Sequence, residues 1–126
     1  MKKNLFLSFS FSLLVLTNVN AQGTWTTKTS LTGSVRWSAA AFTIGAKGYV
    51  GTGLDGSLNY SNDLWEYDQS GDSWTQKANF GGSARQFATA FAVGGKGYIA
   101  TGYDGADKQD CWEYDPAANS WALKAP

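Results

Sequence analysis

A chain of 126 residues, with ten Lys plus Arg against ten Asp plus Glu, holds at most one small domain and carries no net charge. It has no His and a single Cys, which excludes a Ser-His-Asp triad, a His-ligated metal, a multi-Cys cluster and an intramolecular disulfide. Zero net charge without a Lys/Arg block argues against nucleic-acid binding, where a basic patch supplies most of the affinity.

Residues 1–21 read as a secretory signal peptide. Lys2 and Lys3 precede an apolar stretch, Leu5 to Leu16, and Val19 and Ala21 are small residues at the spacing a signal peptidase accepts. The stretch is shorter than the ~20 apolar residues a membrane span needs. The rival is an uncleaved N-terminal anchor. Cleavage leaves Gln22–Pro126, a slightly acidic chain holding every Gly, with no membrane span and an exported destination: periplasmic, outer surface or secreted. Cys111, between Asp110 and Trp112, reads as a small buried residue, with a reactive or intermolecular thiol as the alternative.

The rest of the chain repeats. Arg36, Lys47-Gly48-Tyr49, Thr52-Gly53 and Asp55-Gly56 return 49 residues later as Arg85, Lys96-Gly97-Tyr98, Thr101-Gly102 and Asp104-Gly105. Trp65-Glu66-Tyr67-Asp68, Trp74 and Lys77-Ala78 return 47 residues later as Trp112-Glu113-Tyr114-Asp115, Trp121 and Lys124-Ala125. The two-residue deletion falls between Gly105 and Trp112. A partial third copy, Trp25, Lys28, Gly33, Ser34 and Arg36, aligns with Trp74, Lys77, Gly82, Ser83 and Arg85.

Within each copy the chain order predicts four short strands. In the first they are Ala39–Ile44, Gly48–Gly53, Leu64–Tyr67 and Ser73–Lys77; in the second, Ala88–Val93, Gly97–Gly102, Cys111–Tyr114 and Ser120–Lys124. Gly45-Ala46, Gly94-Gly95, Ser70-Gly71-Asp72 and Asp115-Pro116 mark turns, and no helical periodicity appears beyond residue 21. The strands alternate poorly between apolar and polar. That predicts antiparallel sheets covered on both faces, with Trp and Tyr rings filling the wedge between them.

This pattern resembles the kelch repeat. Gly51-Thr52-Gly53 and Ala100-Thr101-Gly102 stand at the family's glycine pair, with Thr replacing its first glycine. Tyr67 and Tyr114 stand at its third-strand Tyr, and Trp74 and Trp121, seven residues on, at its fourth-strand Trp. Gly53, Gly102, Trp65, Tyr67, Trp74, Trp112, Tyr114 and Trp121 are thus the structural repeat motif. The resemblance covers Gly23 to Pro126 and implies an all-β fold of β-propeller blades. Residues 36–84 and 85–126 would each form a complete four-stranded antiparallel blade. Residues 22–35 would be an orphan outer strand, Trp25–Thr29, and its linker. Propellers close with ~4–8 blades, so this chain alone does not close a ring. The expectation is an N-terminal fragment of a longer propeller, or else a short protein whose copies complete a ring. Its partners are then missing blades or further copies of itself.

Candidate sites follow from repetition and from departures from it. Arg36 and Arg85 could meet an acidic ligand near the channel mouth, or could pair structurally with a carboxylate such as Glu66 or Glu113. Trp37, which becomes Gln86 in the second copy, Tyr60, whose loop is shortened there, and Phe87 depart from the repeat and could stack on a sugar ring or pack locally. Asp104, Asp107 and Asp110 share a loop, as a calcium cluster or a solvated turn. Glu66 and Glu113 could serve as buried acids or lie at an exposed edge. No catalytic residue, cofactor or metal is assigned. The expected function is a non-catalytic module binding a glycan or a protein. The alternatives are part of an exported kelch enzyme similar to N-acetylneuraminate epimerase, or a structural blade module that self-assembles. Galactose oxidase chemistry needs His and cannot reside in these residues.

Overall fold

A computed structural model describes residues 23–125, so the signal peptide predicted over residues 1–21 lies outside the described residues. Among the described residues there is no helix. Ten strands follow in chain order: β1 Arg36–Trp37, β2 Ala40–Ile44, β3 Lys47–Gly51, β4 Leu54–Asp55, β5 Leu64–Asp68, β6 Ser73–Lys77, β7 Thr89–Val93, β8 Lys96–Ala100, β9 Cys111–Asp115 and β10 Ser120–Ala125. They form three antiparallel sheets, none closed into a barrel. Sheet 1 has the order β2-β3-β5-β6, sheet 2 the order β7-β8-β9-β10, and β1 pairs with β4 in a short ribbon.

Local chemistry explains where the strands turn and stop. Gly94 and Gly95, with φ of 59° and 77°, are both left-handed, the pattern of a type I′ hairpin, and they join β7 to β8 with Val93 opposite Lys96. β3 and β8 end two residues earlier than predicted, because Thr52 and Thr101 adopt φ 58° and Gly53 and Gly102 adopt φ 100° and 107°. A side chain on Gly53 would lie 2.8 Å from the Trp37 carbonyl oxygen, so the second residue of the pair must be glycine. The left-handed region costs a β-branched residue about 1–2 kcal/mol. At Thr52 the buried hydroxyl offsets part of this by accepting the Ala40 N–H at 3.4 Å.

Trp25–Thr29 forms no strand, contrary to the orphan outer strand expected there. A strand needs a ladder partner, and the described chain supplies no third strand beside this segment. It is held instead at its end. The Thr29 N–H donates to Asp72 Oδ1 at 3.1 Å, and Trp74 Nε1 donates to the Thr29 carbonyl at 2.9 Å.

The sheets pack through unlike faces. Strand alternation and register put Ala40, Phe42, Tyr49 and Leu64 on one face of sheet 1, and Ile99, Tyr114 and Trp112 on one face of sheet 2. These faces meet. Tyr49 and Tyr114 lie 5.7 Å apart between ring centroids, and the Phe42 ring fills the hollow left by Gly97. Phe80, from the segment joining the sheets, is buried edge-on to Trp112 and Trp121 at 5.9 and 5.1 Å. Burying each such ring contributes about 1.5–3 kcal/mol. Backbone bonds strap the same seam: Phe80 N–H to the Asn62 carbonyl at 2.7 Å, and Gly53 N–H to the Arg85 carbonyl at 2.7 Å.

Candidate functional site

Each repeat is stapled by one arginine. Arg85 enters just before β7, and its side chain is 1% exposed. Nε donates to the Ser83 carbonyl at 3.1 Å. Nη1 donates to the Thr101 carbonyl at 2.9 Å and to Asp110 Oδ1 at 2.5 Å. Nη2 donates to Ser83 Oγ at 3.1 Å and to Asp110 Oδ2 at 2.9 Å. All five N–H protons of the guanidinium are thereby used, and its flat face lies 4.9 Å above the Phe80 ring. Trp112 Nε1 completes the staple by donating to Asp110 Oδ2 at 2.8 Å. Arg36 repeats the pattern with the Ser34 and Thr52 carbonyls, both oxygens of Asp63, and Trp65 Nε1 on Asp63 at 2.7 Å.

The partners are therefore Asp63 and Asp110, where the sequence suggested Glu66 or Glu113. Register explains the difference. Glu66 lies opposite Tyr49 and Glu113 opposite Tyr98 inside their sheets, and each accepts that tyrosine's hydroxyl proton, at 2.5 and 2.6 Å. Lys124 adds an ion pair to Glu113 at 3.0 Å, and Lys77 approaches Glu66 to 3.6 Å. A ligand carboxylate at Arg36 or Arg85 would have to displace Asp63 or Asp110.

These bonds set the charge states. Arg85 holds the Asp110 carboxyl below the usual range, against the cost of burial and with help from Trp112. At Asp63 burial pushes upward, but the bonds from Arg36 and Trp65 outweigh it and the carboxyl again titrates low. The folded state thus binds fewer protons than an unfolded chain, whose Asp titrates near ~3.9. The stabilisation is present above that value and is lost as pH falls through the lower folded values. Thermal melts taken from about pH 5 downward should show a falling midpoint, with a shallower decline in Asp110→Asn.

The loop aspartates do not form one cluster. Asp104 pairs with Lys108 at 2.9 Å, and hydrogen bonds from Ser83 and Lys108 hold it near about 2, while Asp110 is spent on Arg85. Among the described residues no group of three or more His, Cys, Asp or Glu side chains is arranged to hold a metal ion. Cys111 is a half-buried free thiol in β9.

The second repeat's loop edge holds a different arrangement. Gln86, Phe87, Thr101, Tyr103, Asp107 and Lys108 line an open cleft of about 510 Å³. Phe87 is 65% exposed with φ 59°, a left-handed backbone that aromatic residues avoid, and its N–H donates to the Ser38 carbonyl at 3.2 Å. Tyr103 exchanges backbone hydrogen bonds with Gln86, at 3.0 and 2.8 Å, and is backed by Tyr60 from the first repeat, edge-on at 6.5 Å. Tyr60 thus supports the cleft from behind. Trp37, half-exposed beside Leu54 in the β1–β4 ribbon, does not line it. The sequence marks neither Tyr103 nor Lys108 as a binding residue, and it offers Asp107 only as a calcium ligand or part of a solvated turn. Comparing the copies flags the first of them, since Tyr103 stands where the first repeat has Leu54, as Phe87 stands where it has Ser38.

The fold and its two arginine staples define an all-β repeat protein of two four-stranded antiparallel sheets packed face to face. No protein-family model matches the chain, and no curated protein matches it.

Proposed function

We propose that the chain forms two blades of an exported, kelch-type β-propeller and acts as a non-catalytic binding module. Its ligand is a glycan, taken at the loop edge of the second repeat. The blade reading is supported by two sheets of identical strand order, stacked in sequence, with β6 and β10, which carry Trp74 and Trp121, at one edge of each sheet.

The observation that carries the binding reading is Phe87. A large aromatic side chain stands in water on a strained backbone, at the mouth of a cleft, where the other copy has serine. The left-handed backbone belongs to the repeat, since Ser38 has φ 56° at the same position, and what sets the second copy apart is the exposed ring itself. An aromatic face attracts the slightly positive C–H face of a sugar ring. Gln86, Asp107 and Lys108 supply donors and acceptors for hydroxyl groups around it. The cleft volume falls within the ~300–1,000 Å³ usual for small-ligand sites.

A glycan array followed by calorimetry on the best binder tests this. Phe87→Ser, which restores the first repeat's residue, should weaken binding at least tenfold, about 1.4 kcal/mol, with the melting temperature retained. Failure of every glycan to bind, or equal affinity in the variant, would overturn the glycan reading.

A further inference from the structure

The interface between the sheets is made of two different halves, and each half occurs twice. Sheet 1 contributes the Phe42–Tyr49 half, with the rings stacked at 5.0 Å and 10° and the Tyr49 hydroxyl on Glu66. Sheet 2 contributes the hollow at Gly97, flanked by Ile99 and Tyr114. Sheet 2 also carries its own copy of the first half, facing away. There Phe91 stacks on Tyr98 at 4.9 Å and 6°, with the Tyr98 hydroxyl on Glu113. This copy is uncovered: Phe91 is 45% exposed, against 7% for Phe42.

Sheet 1 carries the matching hollow on its open face. A cleft of about 330 Å³ lies there, lined by Gly48, Val50, Tyr67 and Trp74 among others. A Cβ on Gly48 would meet nothing nearer than the Tyr67 Cβ at 3.8 Å. A Cβ on Gly97 would strike the Phe42 ring, 2.8 Å from Cδ2 and closer still to Cε2 and Cζ. The position filled by a phenylalanine ring in one sheet is empty in the other.

We propose that a second copy of this chain fills it. The open face of its sheet 2 docks on the open face of sheet 1, with Phe91 over Gly48, repeating between molecules the contact that Phe42 and Gly97 make within one. The occupant is identified by this internal precedent, since the same ring pair and the same hollow already fit each other. The outer rim is also prepared. Thr29 bonds to Asp72 and Trp74 there as Ala78 bonds to Asn119 and Trp121, at 2.9 and 3.2 Å. An incoming copy brings β10 to the place of residues 25–29. That segment has no strand pairing and a fully exposed Trp25 side chain, and it yields the rim. Because the two faces differ, the contact is heterologous and propagates until it closes into a ring or continues as a filament. The proposal does not depend on the ligand of the loop edge.

Sedimentation velocity over a concentration series tests it with the purified chain, Gly48→Ala and Phe91→Ser. Gly48→Ala fits its own sheet, and Phe91 is exposed, so both variants should keep the wild-type circular dichroism. Wild type should gain mass with concentration, and each variant alone should associate at least tenfold more weakly. An equimolar mixture of the two should give a 1:1 dimer, because Gly48→Ala keeps Phe91 and Phe91→Ser keeps Gly48. A wild type that stays monomeric throughout, variants that assemble as wild type does, or a mixture that forms no dimer would each overturn the proposal. The first result would leave the two faces to a different occupant.

Discussion

Asp110→Ala should lower stability by about 3–5 kcal/mol, the usual cost of removing one partner from a buried ion pair. The Arg85 side chain has almost no contact with water, and Asp110 accepts two of its five N–H bonds and the Trp112 indole proton as well. Alanine would leave a desolvated cation facing two unmatched donors. Small domains hold only about 5–15 kcal/mol in total, so this loss consumes much of the reserve. Urea denaturation should show a lower midpoint with an unchanged slope. Asp68→Ala is the comparison. It removes the Lys47 ion pair, whose two side chains are more than a third exposed and screened by water, together with two bonds from Ser70, so the loss should be far smaller. Replacing both partners of the buried pair, Arg85→Met with Asp110→Leu, should recover much of the loss, because no charge is then left buried. Equal midpoints for Asp110→Ala and Asp68→Ala would remove the staple from the account of this fold.

Gly97→Ala should also be destabilising, although it adds a single methyl group. The added carbon falls inside the space of the Phe42 ring, which cannot retreat because Tyr49 stacks on its other side at 5.0 Å. Overpacking a tight core costs about 1–3 kcal/mol. Here it pries apart the one face-to-face contact between the two sheets. Phe42→Ala alone should cost about 3–5 kcal/mol as a cavity. The double variant should cost clearly less than the sum, since each change relieves the other. Gly48→Ala, the same substitution at the same strand position of the other repeat, should leave thermal melting of the dilute, unassociated chain within about 0.5 kcal/mol of wild type. Additive losses in the double variant would show that Phe42 and Gly97 do not share one contact.

The strands and their hairpins were legible in the sequence by itself, because they depend on near neighbours. Two copies of one pattern, punctuated by Gly45-Ala46 and Gly94-Gly95, place eight ladder strands to within two residues at either end. Departures between the copies also pointed to Phe87, now at the cleft. Long-range facts were decided only by tertiary structure. The arginines find Asp63 and Asp110 because those residues sit just before β5 and β9, where the arginine enters, while register commits Glu66 and Glu113 to the tyrosines beside them. Trp25–Thr29 has the composition of a strand and lacks a ladder partner. Which face of each sheet is buried is invisible in a repeat whose copies carry the same residues: Phe42 and Phe91 differ only in what lies opposite them. A periodic sequence specifies the faces, and the order in which the sheets stack determines which of them meets water.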